Sequence, residues 1–180
     1  ERKSMSTAIM GRRKMGKTAI LERLFNITFY KNDGVIPFYY EIKEVKMWVV
    51  DFCQDFFLTF IYQYIAFKTR KTEYLLPEGE SDFEKAVAIA RKEGLDYLTG
   101  FIESAAHAAA HEKVDILWNI ARETPRKIAT RQKEFIVQLI DEFQFMNAMI
   151  YRDKDMKILA DELAGGYLST AESKITTLLV

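Results

Sequence analysis

Gly11-Arg12-Arg13-Lys14-Met15-Gly16-Lys17-Thr18 decides how this chain is read. The stretch fits the pattern G-x-x-x-x-G-K-[ST], in which the backbone curls so that successive N–H groups point inward at an anion. Gly16 stands where a Cβ is expected to obstruct bound phosphates. Lys17 supplies a mobile cation for the outer phosphates of a nucleotide. The Thr18 hydroxyl is a hard oxygen suited to Mg2+. Gly11, Arg12, Arg13, Lys14 and Met15 complete the cradle.

The flanks agree with that reading. Ser6-Thr7-Ala8-Ile9-Met10 is a short β-prone run. From Thr18 to Phe25 the apolar residues Ile20, Leu21, Leu24 and Phe25 recur at helical spacing. Strand, glycine loop and helix in that order set the anion at a helix N-terminus, where unpaired N–H groups and the helix dipole favour negative charge.

A chain of 180 residues, 49% apolar and 29% charged, is expected to form one globular domain with a real core. Its net charge is zero, so nothing global indicates nucleic acid or an anionic membrane as partner. The opening segment is locally basic, with Arg2, Lys3, Arg12, Arg13, Lys14, Lys17 and Arg23 against Glu1 and Glu22. That neighbourhood suits a polyphosphate and a nucleic-acid backbone alike. Cys53 is the only cysteine, which excludes an internal disulfide and fits a reducing cytoplasm. No secretory signal is visible, and a start at Glu1 is expected of a fragment.

Val35 to Ile42 reads as a second strand entered through Asn32-Asp33-Gly34, with Pro37 favouring a strand start or a sheet edge. Trp48 to Phe67 is the most apolar segment. Asp51, Asp55, Thr59 and Gln63 recur every four residues and draw one polar stripe along a helix. Two aspartates are costly in hydrocarbon, so the segment reads as a buried helix packed on a sheet and not as a membrane span. Further helices are expected from Ser81 (as cap, with Glu84 three residues on) to Gly94, from about Leu95 to Lys113, and from Val114 to Glu123, stopping before Pro125. They make a helical block of about 70–133. An amphipathic helix is expected from Lys154 to Gly165, with Met156, Leu159, Ala160 and Leu163 on one side and Gly165-Gly166 ending it. Ile175 to Val180 reads as a last strand.

Phe135-Ile136-Val137-Gln138-Leu139-Ile140, followed by Asp141-Glu142, is the partner that the glycine loop needs. Nearly continuous apolar runs suit strands buried on both faces of a parallel sheet. A carboxylate at such a strand's C-terminal end shares a sheet edge with the loop. Asp141 is then suited to hold Mg2+ opposite Thr18. Glu142 is suited to orient or deprotonate an attacking water.

With these residues in hand, the sequence resembles the archaeal-type ATPase family within the AAA+/STAND group of P-loop NTPases. Members show a G-R-R-x-x-G-K-T loop and an apolar strand ending D-E-F-Q, matched by Gly11 to Thr18 and by Asp141-Glu142-Phe143-Gln144. The resemblance implies an α/β three-layer P-loop NTPase fold with parallel strand order 2-3-4-1, the last strand lying between the first and the third. The first strand is then expected at an exposed edge. It implies ATP and Mg2+ as cofactors, Gly11 to Thr18 as the nucleotide site, Thr18 and Asp141 at the metal, and Lys17 and Glu142 as catalytic residues. The sensor and lid regions are expected beyond Val180, together with any surface for self-association or a partner protein.

The expected activity is ATP hydrolysis that drives a conformational switch. A non-hydrolysing nucleotide sensor and a small-molecule kinase, with Arg122 and Arg126 in a lid, are the alternatives. No Asn-Lys-x-Asp guanine-reading motif and no Leu-Ser-Gly-Gly-Gln signature is present. His107 and His111, four apart on a helix, read as ordinary surface histidines and not as metal ligands.

Overall fold

Thr7–Ala8 (β1) leads toward the glycine loop, and Lys17–Lys31 (α1) follows it. The chain turns at Asn32 and Gly34, both in the left-handed region (φ 50 and 84), into Val35–Glu41 (β2). The computed structural model describes residues 7–9, 15–75, 82–171 and 176–179. After β2 come Met47–Trp48 (β3), Val49–Thr69 (α2), Phe83–Lys92 (α3), Thr99–Ala110 (α4) and Val114–Gln132 (α5). Phe135–Asp141 (β4), Phe145–Ala148 (α6), Ile150–Tyr151 (β5), Glu162–Ala171 (α7) and Thr176–Leu179 (β6) complete the order.

The strands pair in parallel in the order β1-β6-β4-β2, while β3 and β5 form a separate parallel pair. Pairing is sustained only between β2 and β4, from Val35 opposite Phe135 to Glu41 opposite Asp141. The β4–β6 register runs from Val137–Thr176 to Ile140–Leu179, and β1 meets β6 at Thr7–Leu178 and Ala8–Leu179 alone. Thr7 and Ala8 are exposed.

This architecture corrects the expected fold class. The chain is mostly helical, its strands are short, and the three-layer P-loop domain is not seen. The physical reason lies in the apolar segment after Trp48. Two compact units divide the chain, Glu1–Trp48 with Pro125–Val180, and Val49–Thr124. α2, expected as a layer on the sheet, belongs to the helical unit and packs against α3, α4 and the 3-10 turn at Thr72–Tyr74. Its fifteen buried residues supply a core of their own. Phe52 and Phe56 close on Trp118 with ring centroids 5.7 and 5.9 Å apart, and Phe57 meets Phe83. Buried Ala86, Ala90, Ala105 and Ala108 let α3 and α4 approach closely.

Local readings are corrected for equally local reasons. Asp82 caps α3, its carboxylate accepting the Lys85 N–H at 2.6 Å, whereas Ser81 lies outside the described residues. The helix expected to stop before Pro125 continues to Gln132. An interior proline removes one backbone bond and costs about 3 kcal/mol. Burial of Leu117, Ala121, Thr124 and Ile128 along one face on both sides of it offsets that cost. The Thr124 hydroxyl donates to the Ile120 carbonyl at 2.7 Å, so this buried group is satisfied inside the helix.

The helix expected over Lys154–Gly165 is absent. The Asp153 carboxylate accepts N–H groups of Lys157 and Ile158 (3.1 and 2.7 Å), so a turn takes the place of the first helical bonds. α7 instead runs through Gly165-Gly166, held by buried Leu163, Ala164 and Tyr167. On α1 only Leu21 of the anticipated Ile20–Leu21–Leu24–Phe25 face is fully buried, and Phe29 joins it.

Candidate functional site

Every pairing in the main sheet is parallel, so β1, β6, β4 and β2 all end at one edge. Ala8, Leu179, Ile140 and Tyr40 lie level in one row. The next row outward holds Asp141 and Glu41. With strands spaced at ~4.8 Å, the line of β1 passes about 10 Å from Asp141. β1 therefore ends at the edge where Asp141 emerges, with β6 between them.

Gly11, Arg12, Arg13 and Lys14 lie outside the described residues. Met15 is exposed, and Lys17 and Thr18 are half-buried at the start of α1. Gly16 adopts φ 77, ψ 20 and stands at the N-cap, its carbonyl accepting the Ile20 N–H at 3.1 Å. A Cβ there would meet none of the described protein atoms within 4 Å, so the chain itself does not crowd this position. Glycine is needed for its left-handed backbone, which costs other residues about 1–2 kcal/mol. Gly16 has no side chain with which to cap this helix start, and no acidic residue lies in its first turn. The N–H groups and the dipole's positive end are thus not already matched by a carboxylate of α1.

Asp141 is fully buried at the end of β4. Its Oδ1 accepts the backbone N–H of Glu142 at 2.9 Å, and its Oδ2 accepts the Tyr39 hydroxyl at 3.5 Å. Its main-chain carbonyl accepts the Ile42 N–H at 3.1 Å, tying the ends of β2 and β4. Burial, followed by the charges of Asp141, Glu41 and Glu22, pushes the Tyr39 hydroxyl far above the usual phenol range. It therefore remains a donor. Tyr39 also meets Phe25 of α1 edge-on, with centroids 6.4 Å apart.

Glu142 is half-buried with φ 53. Of the other described non-glycine residues in the left-handed region, Asn32, Arg70, Glu112 and Lys133 sit just past helix ends, where that conformation closes the last turn, and Met156 lies in the turn after β5. Glu142 instead follows a strand, so its backbone serves the sharp exit from β4. The Gln144 side-chain amide donates to Glu142 Oε2. Phe143, between them, packs on Tyr167 (5.8 Å), and the Tyr167 hydroxyl donates to buried Gln138 Oε1 at 2.9 Å. The turn carrying Glu142 is thereby anchored to the middle of β4.

Sequence reasoning missed Tyr39, Gln138 and Tyr167. A tyrosine in an aromatic strand carries no signal until register brings it beside a carboxylate. Elsewhere, His111 Nδ1 donates to the His107 carbonyl at 2.8 Å and closes the end of α4. Arg122 donates to Asn119 Oδ1 at 3.2 Å. Burial pushes the Cys53 thiol up, leaving a protonated core residue.

Among the described residues no group of three or more His, Cys, Asp or Glu side chains suits a metal ion. The donor set nevertheless fits Mg2+ held with a nucleotide, which takes one or two protein oxygens and completes its shell with phosphate and water. Thr18 and Asp141 are such oxygens. No described helix is long and apolar enough to cross a membrane. Comparison of the chain with family models, curated proteins and solved structures returned no match.

Proposed function

We propose that this chain binds ATP with Mg2+ through Gly11 to Thr18 and, in a cytoplasmic protein, hydrolyses it slowly to ADP and phosphate as a conformational switch. One observation carries the reading. The left-handed Gly16 heads an uncapped helix whose preceding strand ends at the same sheet edge as buried Asp141. The likeness of Gly11–Thr18 and Asp141–Gln144 to archaeal-type ATPases supports it.

In this reading the backbone after Gly16 and the Lys17 ammonium offset charge on the outer phosphates, where preorganised donors act most strongly. Thr18 and Asp141 would hold Mg2+, which when bound neutralises charge on the phosphate oxygens. Glu142 takes a proton from the attacking water. Its Oε2 is engaged by Gln144, leaving Oε1 as acceptor.

That same Gln144 contact favours a second reading, a nucleotide sensor in which Glu142 is held from chemistry. Glu142→Gln separates the two: hydrolysis abolished with binding intact marks the base, and unchanged behaviour marks the sensor.

Titration calorimetry with ATP and Mg2+, beside GTP and a Lys17→Ala variant, tests binding itself. ATP is expected to bind and Lys17→Ala to weaken it about a hundredfold, the scale of ~3 kcal/mol for truncating one member of a charged pair. A folded chain that binds neither nucleotide would sink the proposal.

A further inference from the structure

We propose that Tyr39 is a positioning residue for Asp141, fixing the carboxylate that serves the metal and linking it to the helix that carries Lys17 and Thr18. The inference rests on the nucleotide reading above and adds a residue that no motif contains.

Glu41 lies opposite Asp141 in the parallel β2–β4 pair, so Tyr39 stands one strand over and two residues back from the carboxylate. A tyrosine is long enough to cross that diagonal. Its hydroxyl reaches Asp141 Oδ2 at 3.5 Å, while Oδ1 takes the Glu142 N–H at 2.9 Å. Each carboxylate oxygen has two acceptor positions. Both oxygens are thereby oriented, and each keeps a position for a further donor such as metal-bound water.

The ring is held from its other side. Phe25 of α1 packs edge-on against it, and α1 begins at Lys17-Thr18. Tyr39 accordingly touches both halves of the proposed site: the helix after the glycine loop and the carboxylate after β4. Asp141 is fully buried. Without the phenol, that carboxylate keeps, among the described residues, only the Glu142 N–H as a donor. Outer-shell hydrogen bonds to metal-binding groups are worth about 10–100-fold in metal affinity.

Tyr39→Phe keeps the ring against Phe25 and removes only the hydroxyl. The test uses the full chain with Mn2+ as the probe metal and ADP as the nucleotide. Free Mn2+ is followed by electron paramagnetic resonance, ADP binding without metal by calorimetry, and folding by a melting curve. Tyr39→Phe is expected to melt as a folded protein and bind metal-free ADP like the parent. It should take up Mn2+ in the ADP complex about tenfold more weakly. Asp141→Asn marks full loss of the metal.

Unchanged Mn2+ affinity in Tyr39→Phe, with loss in Asp141→Asn, overturns the role of Tyr39 and leaves the nucleotide reading standing. Equal weakening of ADP with and without metal also overturns it, because a general distortion and not metal positioning is then at work. A folded parent chain that binds neither ADP nor Mn2+ with ADP overturns the nucleotide reading, and this inference with it.

Discussion

The helical unit and the sheet unit spend their buried volume differently. In Val49–Thr124 the interior is aromatic and alanine-rich, and two of its tyrosine hydroxyls are hydrogen-bonded within the unit. Tyr64 and Tyr97 share one hydrogen bond of 2.7 Å, and Tyr62 donates to the Asp82 carbonyl at 3.3 Å. In the sheet unit the interior includes a carboxylate, Asp141, and an amide, Gln138. Left-handed backbone stands at Gly16 and Glu142, one before α1 and one after β4. Buried charge and strained backbone cost stability and persist where surrounding structure enforces them, commonly at functional sites. The helical unit thus buries a packed apolar core, whereas the sheet unit buries a carboxylate at the edge where its strands end.

The largest expected effect tests the helical side. Phe56 is fully buried between Phe52 and Trp118. Phe56→Ala should lower unfolding free energy by about 3–5 kcal/mol in denaturant titration. A loss below about 1 kcal/mol would break the claim that these rings form a packed core.

A middle-sized effect probes the sheet side. Tyr167→Phe leaves buried Gln138 Oε1 without the phenol donor that it has now. The expected cost is about 1–3 kcal/mol by the same titration. Because the ring on which Phe143 packs is kept, hydrogen exchange in the 142–145 turn should stay close to that of the parent.

The smallest effect concerns pH. Hydrogen bonds from Lys71 and then Tyr74 hold the Glu93 carboxyl below its usual range. A lowered folded value means that this contribution is present above the unfolded glutamate value, about 4.3, and is lost as pH falls through the folded one. Melting temperature should therefore drop on acidification below about pH 5 less steeply in Glu93→Gln than in the parent. Identical slopes would remove this contact from the account.

The residues of the proposed site were legible as candidates because their signals are local. A glycine that must be left-handed, a lysine and threonine heading a helix, and an apolar run closing in Asp141-Glu142 are covalently adjacent patterns. The strand runs Val35–Ile42 and Phe135–Ile140 lie within a residue of β2 and β4 for the same reason. Fold class was read too far from those patterns. The loop and the acidic strand end drew the apolar helix after Trp48 onto the sheet as a layer, whereas α2 buries enough surface to organise its own unit. Proline and glycine rules failed at Pro125 and Gly165-Gly166, where buried faces outweighed backbone propensity.

The sequence by itself determined where the two long strands begin and which side chains are candidates for phosphate and metal chemistry, because those depend on neighbours along the backbone. Only the tertiary structure decided that Tyr39 meets Asp141, that Tyr167 satisfies Gln138, and that α2 packs among helices. Contacts between residues 102 and 29 positions apart depend on strand register and on competition for buried surface, which no local pattern encodes.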